Sequence, residues 1–288
     1  MILHQTIQQA ANTFSRHNIA DGYLEARVLL GQILELSSAE LFTQPELTLN
    51  QGQIKIFNQS IERRINNEPT AYIIKHKEFF GIDFYVDHRV LIPRPETELL
   101  VEEALEFARS KINHTTNPSG LIQIADIGTG CGAIAISIAL NLPHVKVLAT
   151  DISPLALEVA RLNSDYHKVT GQVTFLQGNL LEPIHKPVDL IIANLPYIKT
   201  SELPELSPEI TGFEPEIAIN GGESGLDPIN QILEQIKERE LQQCRLLLEI
   251  GQGQEQQVTA LVNRLFPAAN PELVTDLNGI NRVVKMDI

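Results

Sequence analysis

From residue 121 to the end, short apolar runs alternate with amphipathic helical periods, and few folds accept that pattern. Runs at 121–125, 145–150, 173–177, 188–193 and 245–250 read as strands. Helical periods at 133–140, 154–163, 229–239 and 255–266 separate them, with Pro154 at a first turn. The 188–193 run is almost wholly apolar, as expected of a strand buried on both faces. Residues 272–276 and 281–287 predict a closing antiparallel pair turned at Asn278-Gly279. Strand–helix alternation implies an α/β domain with a doubly wound parallel sheet. Such sheets bind ligands outside the carboxyl ends of their strands, so the residues just after each strand are where function is sought.

The preceding part reads differently. Ile7, Ala10, Ala11 and Phe14 follow helical spacing, as do Leu24 and Val28, then Ala26, Leu30 and Ile33, then Ile54, Phe57, Ile61 and Ile65. Pro69 follows as a stop. Glu78-Phe79-Phe80-Gly81-Ile82-Asp83-Phe84-Tyr85-Val86 predicts a β-hairpin. Pro93 and Pro95 stiffen the connection to a helix at about 97–110, with Leu99, Leu100, Ala104 and Phe107 on one face. The expected organisation is a small N-terminal helical domain (1–75), a β-hairpin linker (76–95) and a catalytic domain (96–288).

Charge changes at the same boundary. The net −14 divides into −1 for residues 1–95 (9 basic, 10 acidic) and −13 for residues 96–288 (13 basic, 26 acidic). A strongly acidic second part disfavours direct nucleic-acid binding, which needs a basic face. Cys131 and Cys244 cannot form a disulfide framework, and the eight histidines lack metal-ligand spacing, so no metal is expected. No signal pattern opens the chain and no apolar run approaches the ~20 residues of a membrane helix. The expectation is a soluble cytoplasmic protein.

After the first strand comes Asp126-Ile127-Gly128-Thr129-Gly130-Cys131-Gly132. Glycines there let the backbone turn tightly beside a ligand, at the start of a helix. The loop resembles the DxGxGxG pattern of adenosylmethionine-dependent methyltransferases, yet Gly128, Gly130 and Ala133 also satisfy the dinucleotide fingerprint. Asp151 follows the second strand, where a carboxylate accepts hydrogen bonds from ribose hydroxyls of either cofactor. Its structural alternative is a helix N-cap, a part Ser153 suits better. Gly178-Asn179-Leu180 follows the third strand. Asn179 can meet an adenine edge and Leu180 its face, although a loop asparagine is equally a turn residue.

The loop after the fourth strand discriminates. Asn194-Leu195-Pro196-Tyr197 resembles the (Asn/Asp)-Pro-Pro-Tyr motif of amino-group methyltransferases. An amide nitrogen is a weak nucleophile because its lone pair is delocalised. The Asn194 side-chain oxygen and the Leu195 carbonyl can accept hydrogen bonds from a target NH₂, hold it in line with the methyl donor and support its developing positive charge. Pro196 rigidifies the loop and Tyr197 offers a face for stacking. A dehydrogenase has no use for this tetrad. Leucine replaces the usual second proline at 195, which the use of a backbone carbonyl tolerates. Asn-Leu-Pro-Tyr also looks like the motif of ribosomal-RNA adenine dimethyltransferases, so loop chemistry leaves a protein amide and a nucleic-acid amine both open.

Further segments carry a fuller resemblance. Arg63-Arg64, Glu68-Pro69-Thr70-Ala71-Tyr72-Ile73, Glu78-Phe79-Phe80-Gly81 and Leu91-Ile92-Pro93-Arg94-Pro95-Glu96-Thr97-Glu98-Leu99-Leu100 match the HemK/PrmC family. So do Phe213-Glu214-Pro215, Gly221-Gly222-Glu223-Ser224-Gly225-Leu226-Asp227 and Leu246-Leu247-Leu248-Glu249-Ile250-Gly251. These are protein-(glutamine-N5) methyltransferases of peptide chain release factors. The resemblance implies a Rossmann-like methyltransferase sheet, S-adenosyl-L-methionine as methyl donor, and the glutamine of the Gly-Gly-Gln loop of class 1 release factors as substrate. It implies that Gly128, Thr129, Gly130, Cys131, Gly132, Asp151, Asn179, Leu180 and Asn194 line the cofactor. Asn194, Leu195, Pro196 and Tyr197 hold the glutamine and form the catalytic set. The helical domain would dock the release factor, and the enzyme is expected to act as a monomer. The Arg94-to-Glu98 segment either closes the cofactor pocket or fixes the linker, and Glu214 has no role assigned beyond a loop charge.

Overall fold

The computed structural model describes residues 1–114, 121–241 and 243–288. The chain forms two compact units, Met1–His76 with Ser207–Phe213, and Lys77–Leu206 with Glu214–Ile288.

The first unit holds helices α1 (Leu3–Arg16), α2 (Gly22–Leu34), α3 (Ser38–Thr43), α4 (Gln51–Ile65) and α5 (Thr70–Ile74), with the short helix Pro208–Phe213. Capping boxes start α3 and α4: Ser37 with Glu40, and Asn50 with Gln53, each satisfy two backbone N–H groups that a helix start leaves open. Ile7, Ala10, Ala11, Phe14 and Phe57 are buried, as their spacing predicts. The Leu24–Val28 stripe is not the inner face of α2. Leu24 is exposed, and Ala26, Leu29 and Leu30 are buried. Apolar residues surround α2 on several sides, so periodicity alone does not choose its face. Arg64 is 4% exposed at its side chain, with Nε 3.4 Å from Glu25 and Nη2 2.5 Å from Glu209 of the Pro208–Phe213 helix.

The second unit begins with the hairpin β1 (Lys77–Phe79) and β2 (Ile82–Phe84), turned by Phe80 and Gly81, both at positive φ. Helix α6 (Glu98–His114) follows, then β3 (Ile122–Ile127), α7 (Ala133–Asn141), β4 (Val145–Asp151), α8 (Pro154–Tyr166), β5 (Val173–Gln177) and β6 (Leu190–Ala193). The chain continues through α9 (Asp227–Glu238), β7 (Arg245–Glu249), α10 (Glu255–Leu265), β8 (Glu272–Thr275) and β9 (Asn281–Asp287). The seven strands lie in the order β5-β4-β3-β6-β7-β9-β8. All pairs from β5 to β7 are parallel, and β9 is antiparallel to both of its neighbours. The strand order reverses beside β3, so the carboxyl ends of β3 and β6 flank the switch point. The four residues of β6 are buried, and Leu190, Ile191 and Ile192 each contribute roughly 1.5–3 kcal/mol. Asp126 and Ile127 belong to β3 rather than to the loop, two residues beyond the expected strand. No helix among the described residues is long and apolar enough to cross a membrane.

Candidate active site

At the carboxyl ends of β3, β4 and β6 lies a cavity of about 260 Å³. Gly128 and Gly130 reach it from the β3 loop, Asp151 from the end of β4, Asn179 and Leu180 from the loop after β5, and Asn194, Leu195 and Pro196 from the loop after β6. Eight of the residues expected at the site therefore share one cavity. Four do not line it: Thr129, Cys131, Gly132 and Tyr197.

The glycine loop explains part of this division. Gly128 and Gly130 have φ of +73° and +56°, in the left-handed region that glycine adopts without steric cost. A Cβ on Gly128 would stand 3.3 Å from the Leu195 side chain, so glycine also admits the neighbouring loop. Thr129 instead turns inward and donates to Asp126 Oδ2 at 2.6 Å. Gly132 faces α8, where a Cβ would meet Ile136 and Ala160. The Cys131 carbonyl accepts from Asn163 Nδ2 at 2.9 Å.

Asp126 is fully buried and its Oδ1 has no hydrogen-bond partner among the described residues. Burial pushes its carboxyl up to about 7, against the hydrogen bond from Thr129. Asp151 Oδ2 accepts from Gly130 N and Oδ1 from Ser153 N, both at 2.9 Å. It thereby ties the glycine loop to the start of α8, and burial raises its pKa. Ser153 is the N-cap, accepting from Ala156 N. Leu180 holds an uncommon φ of +53°, and its carbonyl accepts from the Thr150 hydroxyl at 2.9 Å.

Asn194 donates from Nδ2 to Thr97 Oγ1 at 2.9 Å. Leu195 is 3% exposed and packs into the core beneath the sheet end. Tyr197 packs closely against glycine: a Cβ on Gly221 would stand 2.8 Å from its Cα, and one on Gly251 3.0 Å from its ring. Its carbonyl accepts from Gln254 Nε2 at 2.9 Å. Burial, then the nearby Glu249, pushes its hydroxyl up to about 12, so it stays protonated at neutral pH. Glu249, at the end of β7, is 2% exposed, and burial pushes its carboxyl up to about 7.

Sequence reasoning missed several lining residues. Val90 and Leu91 precede the two prolines, and Pro215, Ile217, Asn220 and Gln231 come from the long segment after the tetrad. That segment has no strand or long helix to mark it as a wall, and its only signal was the family-like Glu214-Pro215 and Gly221-Gly222 stretches. Glu214 is more than a loop charge, since its buried carboxylate pairs with Arg94 at 2.6 Å. Residues 94–98 do not themselves line the cavity.

Comparisons with known proteins agree with this architecture. Residues 5–74 match the PrmC N-terminal domain and residues 110–207 the Methyltransferase small domain. The release factor glutamine methyltransferase of Koribacter versatilis (strain Ellin345) is 36% identical over 99% of this chain and 98% of that protein. The protein of the same name from Moorella thermoacetica is 37% identical over 98% and 97%. Among solved structures, the N-terminal domain of human METTL16 in complex with SAH aligns with a TM-score of 0.51 at 15% identity, covering 89% of this chain and 90% of that one. At that identity the likeness is one of fold.

Proposed function

The chain belongs to the release factor glutamine methyltransferase family, and on that premise we propose that it methylates the side-chain amide nitrogen (N5) of the Gly-Gly-Gln glutamine in class 1 release factors. The donor is S-adenosyl-L-methionine, which supplies an electrophilic methyl group on sulfur. The products are N5-methylglutamine and S-adenosyl-L-homocysteine. One observation carries the reading. The glycine loop with Asp151, and the Asn194-Leu195-Pro196 acceptors, open onto one cavity at the sheet's switch point.

The residues present suit the donor. Gly130 leaves open space where a side chain would stand, so backbone can approach a ligand. The buried, unpartnered Asp126 Oδ1 is an acceptor beneath the loop. Asp151 spends one hydrogen bond per oxygen on backbone N–H groups, and each oxygen keeps capacity for a ribose hydroxyl. Asn179 and Leu180 would border the base. Asn194 Oδ1 and the Leu195 carbonyl would take the two N–H bonds of the glutamine amide, and Pro196 would hold the loop still. Tyr197 would support this loop from its packed position. The helical unit would dock the release factor, the enzyme would act as a monomer in the cytoplasm, and it would not bind nucleic acid directly.

Incubation with methyl-labelled donor and either a release factor or deproteinised RNA tests the reading. Label in the release-factor glutamine is expected. Transfer to RNA adenine alone would establish the amino-group alternative and overturn it.

A further inference from the structure

The acceptor loop ends at Tyr197, and beyond it the chain runs beside the segment that walls the cavity. Ile198 and Asn220 form a parallel bridge, with Ile198 N donating to Ile219 O at 3.2 Å and Gly221 N to Ile198 O at 2.7 Å. Pro215, Ile217 and Asn220 of that wall line the cavity, as do Asn194, Leu195 and Pro196 of the loop. Gln254 stands at the N-cap of α10 and reaches both segments with its side chain. Resting on the function proposed above, we infer that Gln254 is a positioning residue that fixes the acceptor loop against this wall and so keeps the glutamine amide in line with the methyl donor.

The Gln254 amide has one way to sit. Its Oε1 accepts from Gly251 N at 2.8 Å, and its Nε2 donates to Tyr197 O at 2.9 Å and to Gly225 O at 3.3 Å. A backbone N–H only donates and a carbonyl only accepts, so turning the amide over would mismatch all three contacts. One side chain thus joins the exit of β7, the end of the acceptor loop and the glycine-rich end of the wall. Glycines give it room. A Cβ on Gly225 would stand 2.8 Å from Tyr197 O and 3.2 Å from Gln254 Nε2, and one on Gly251 would stand 3.0 Å from Gln254 Oε1. Gln254 does not itself line the cavity, so it acts through Tyr197 and Gly225. None of its three hydrogen bonds involves Gly128, Gly130 or Asp151, so the effect falls on the amide and not on the cofactor. A reacting group displaced by about 1 Å loses rate by up to roughly 10²-fold, which makes a loop brace matter to catalysis.

Gln254→Glu, Gln254→Ala and Gln256→Glu are to be compared with the unaltered enzyme. Glutamate at 254 keeps the shape and the acceptor for Gly251 N but, ionised, has no proton for either carbonyl. Alanine removes all three bonds. Gln256 is exposed on α10, so Gln256→Glu adds the same charge without touching the brace. The readouts are kcat and KM for the release factor, the calorimetric Kd of S-adenosyl-L-methionine, and fluorine NMR of fluorotyrosine-labelled protein. Tyr197 is one of five tyrosines, and Tyr197→Phe assigns its signal. Its ring lies where a Cβ on Gly251 would stand 3.0 Å away, so the signal reports how the loop end is seated. Both Gln254 variants are expected to lower kcat about tenfold or more, with KM and cofactor Kd within about threefold. They should also shift or broaden the Tyr197 signal, and Gln256→Glu should change neither rate nor signal. If Gln254→Ala fails to fold, the isosteric Gln254→Glu carries the test. Normal kcat in a folded Gln254 variant, a loss confined to KM or cofactor Kd, or an unmoved Tyr197 signal would overturn the inference. So would an equal loss in Gln256→Glu, which would assign the effect to added charge. The fluorine readout needs no substrate. An enzyme inactive on release factors would break the functional reading and still leave the hold on Tyr197 decided.

Discussion

Both units bury charge, and they treat it in opposite ways. In the helical unit, Arg64 is enclosed at 4% exposure and met by two carboxylates, Glu25 and Glu209. Glu25 also accepts from the Thr70 hydroxyl. In the sheet unit, Asp126 and Glu249 are as deeply buried, have no salt-bridging cation among the described residues, and are pushed up to about 7. A buried charge with its counter-ions fixes a fold, whereas a buried acid held near neutrality stores an incomplete set of interactions. Asp126 lies near the carboxyl end of β3 and Glu249 at that of β7, and neither lines the cavity. The contrast is between a buried cation held by two carboxylates and two buried acids with no cation against them among the described residues.

The contrast can be broken first at Arg64. Arg64→Ala should cost about 3 kcal/mol, the low end for a buried pair because Glu25 and Glu209 are partly exposed. Urea unfolding would measure it, and S-adenosyl-L-methionine affinity should stay unchanged. Altered affinity with intact stability would reverse the assignment. Asn194→Ala should do the opposite, lowering turnover by ~10²-fold or more at nearly unchanged stability. Steady-state kinetics beside a melting curve would decide it, and near-normal turnover would remove the acceptor role.

The pH dependence is smaller and carries a definite sign. Asp126 and Glu249 hold a proton more tightly when folded than at their ordinary values of 3.8 and 4.5. The folded state therefore binds the extra proton between about pH 4 and 7. Stability contributed by these groups falls as pH rises through that window and levels off above it, each group giving a slope of about 1 kcal/mol per pH unit. Glu249→Gln should flatten part of the slope in denaturation series across pH 5–8, and an unchanged slope would show that Glu249 is ionised throughout. The smallest effect belongs to Glu68→Gln. Its pair with Arg63 is solvent-exposed on the arginine side, and losing it should cost under about 1 kcal/mol. A larger loss would mean that exposure is a poor guide to which charges matter here.

Much of this was legible because it is local. Strand and helix positions in the sheet unit follow the apolar pattern to within a few residues. The turn at Asn278-Gly279 forms between β8 and β9, with Gly279 at φ +76°. Gly128 and Gly130 after β3, Asp151 at the end of β4 and Asn194 after β6 meet because a parallel sheet brings the carboxyl ends of its strands together. Of the two α2 stripes, Ala26, Leu30 and Ile33 face the core while Leu24 is exposed, and the wall formed by Pro215 and Ile217 was not legible because it has no periodic signal.

The amino-acid sequence by itself determined the alternating architecture, the glycine loop, the acceptor loop and the family. These are properties of short segments whose chemistry does not depend on distant partners. Only the tertiary structure decided which members of those segments face the cavity, and that Ser207–Phe213 joins the helical unit, where Glu209 meets Arg64. It also decided that Thr97 accepts a hydrogen bond from the Asn194 side chain. Hydrogen bonds and ion pairs between residues roughly 100 or more positions apart require the folded core to hold both partners, and no local pattern records them.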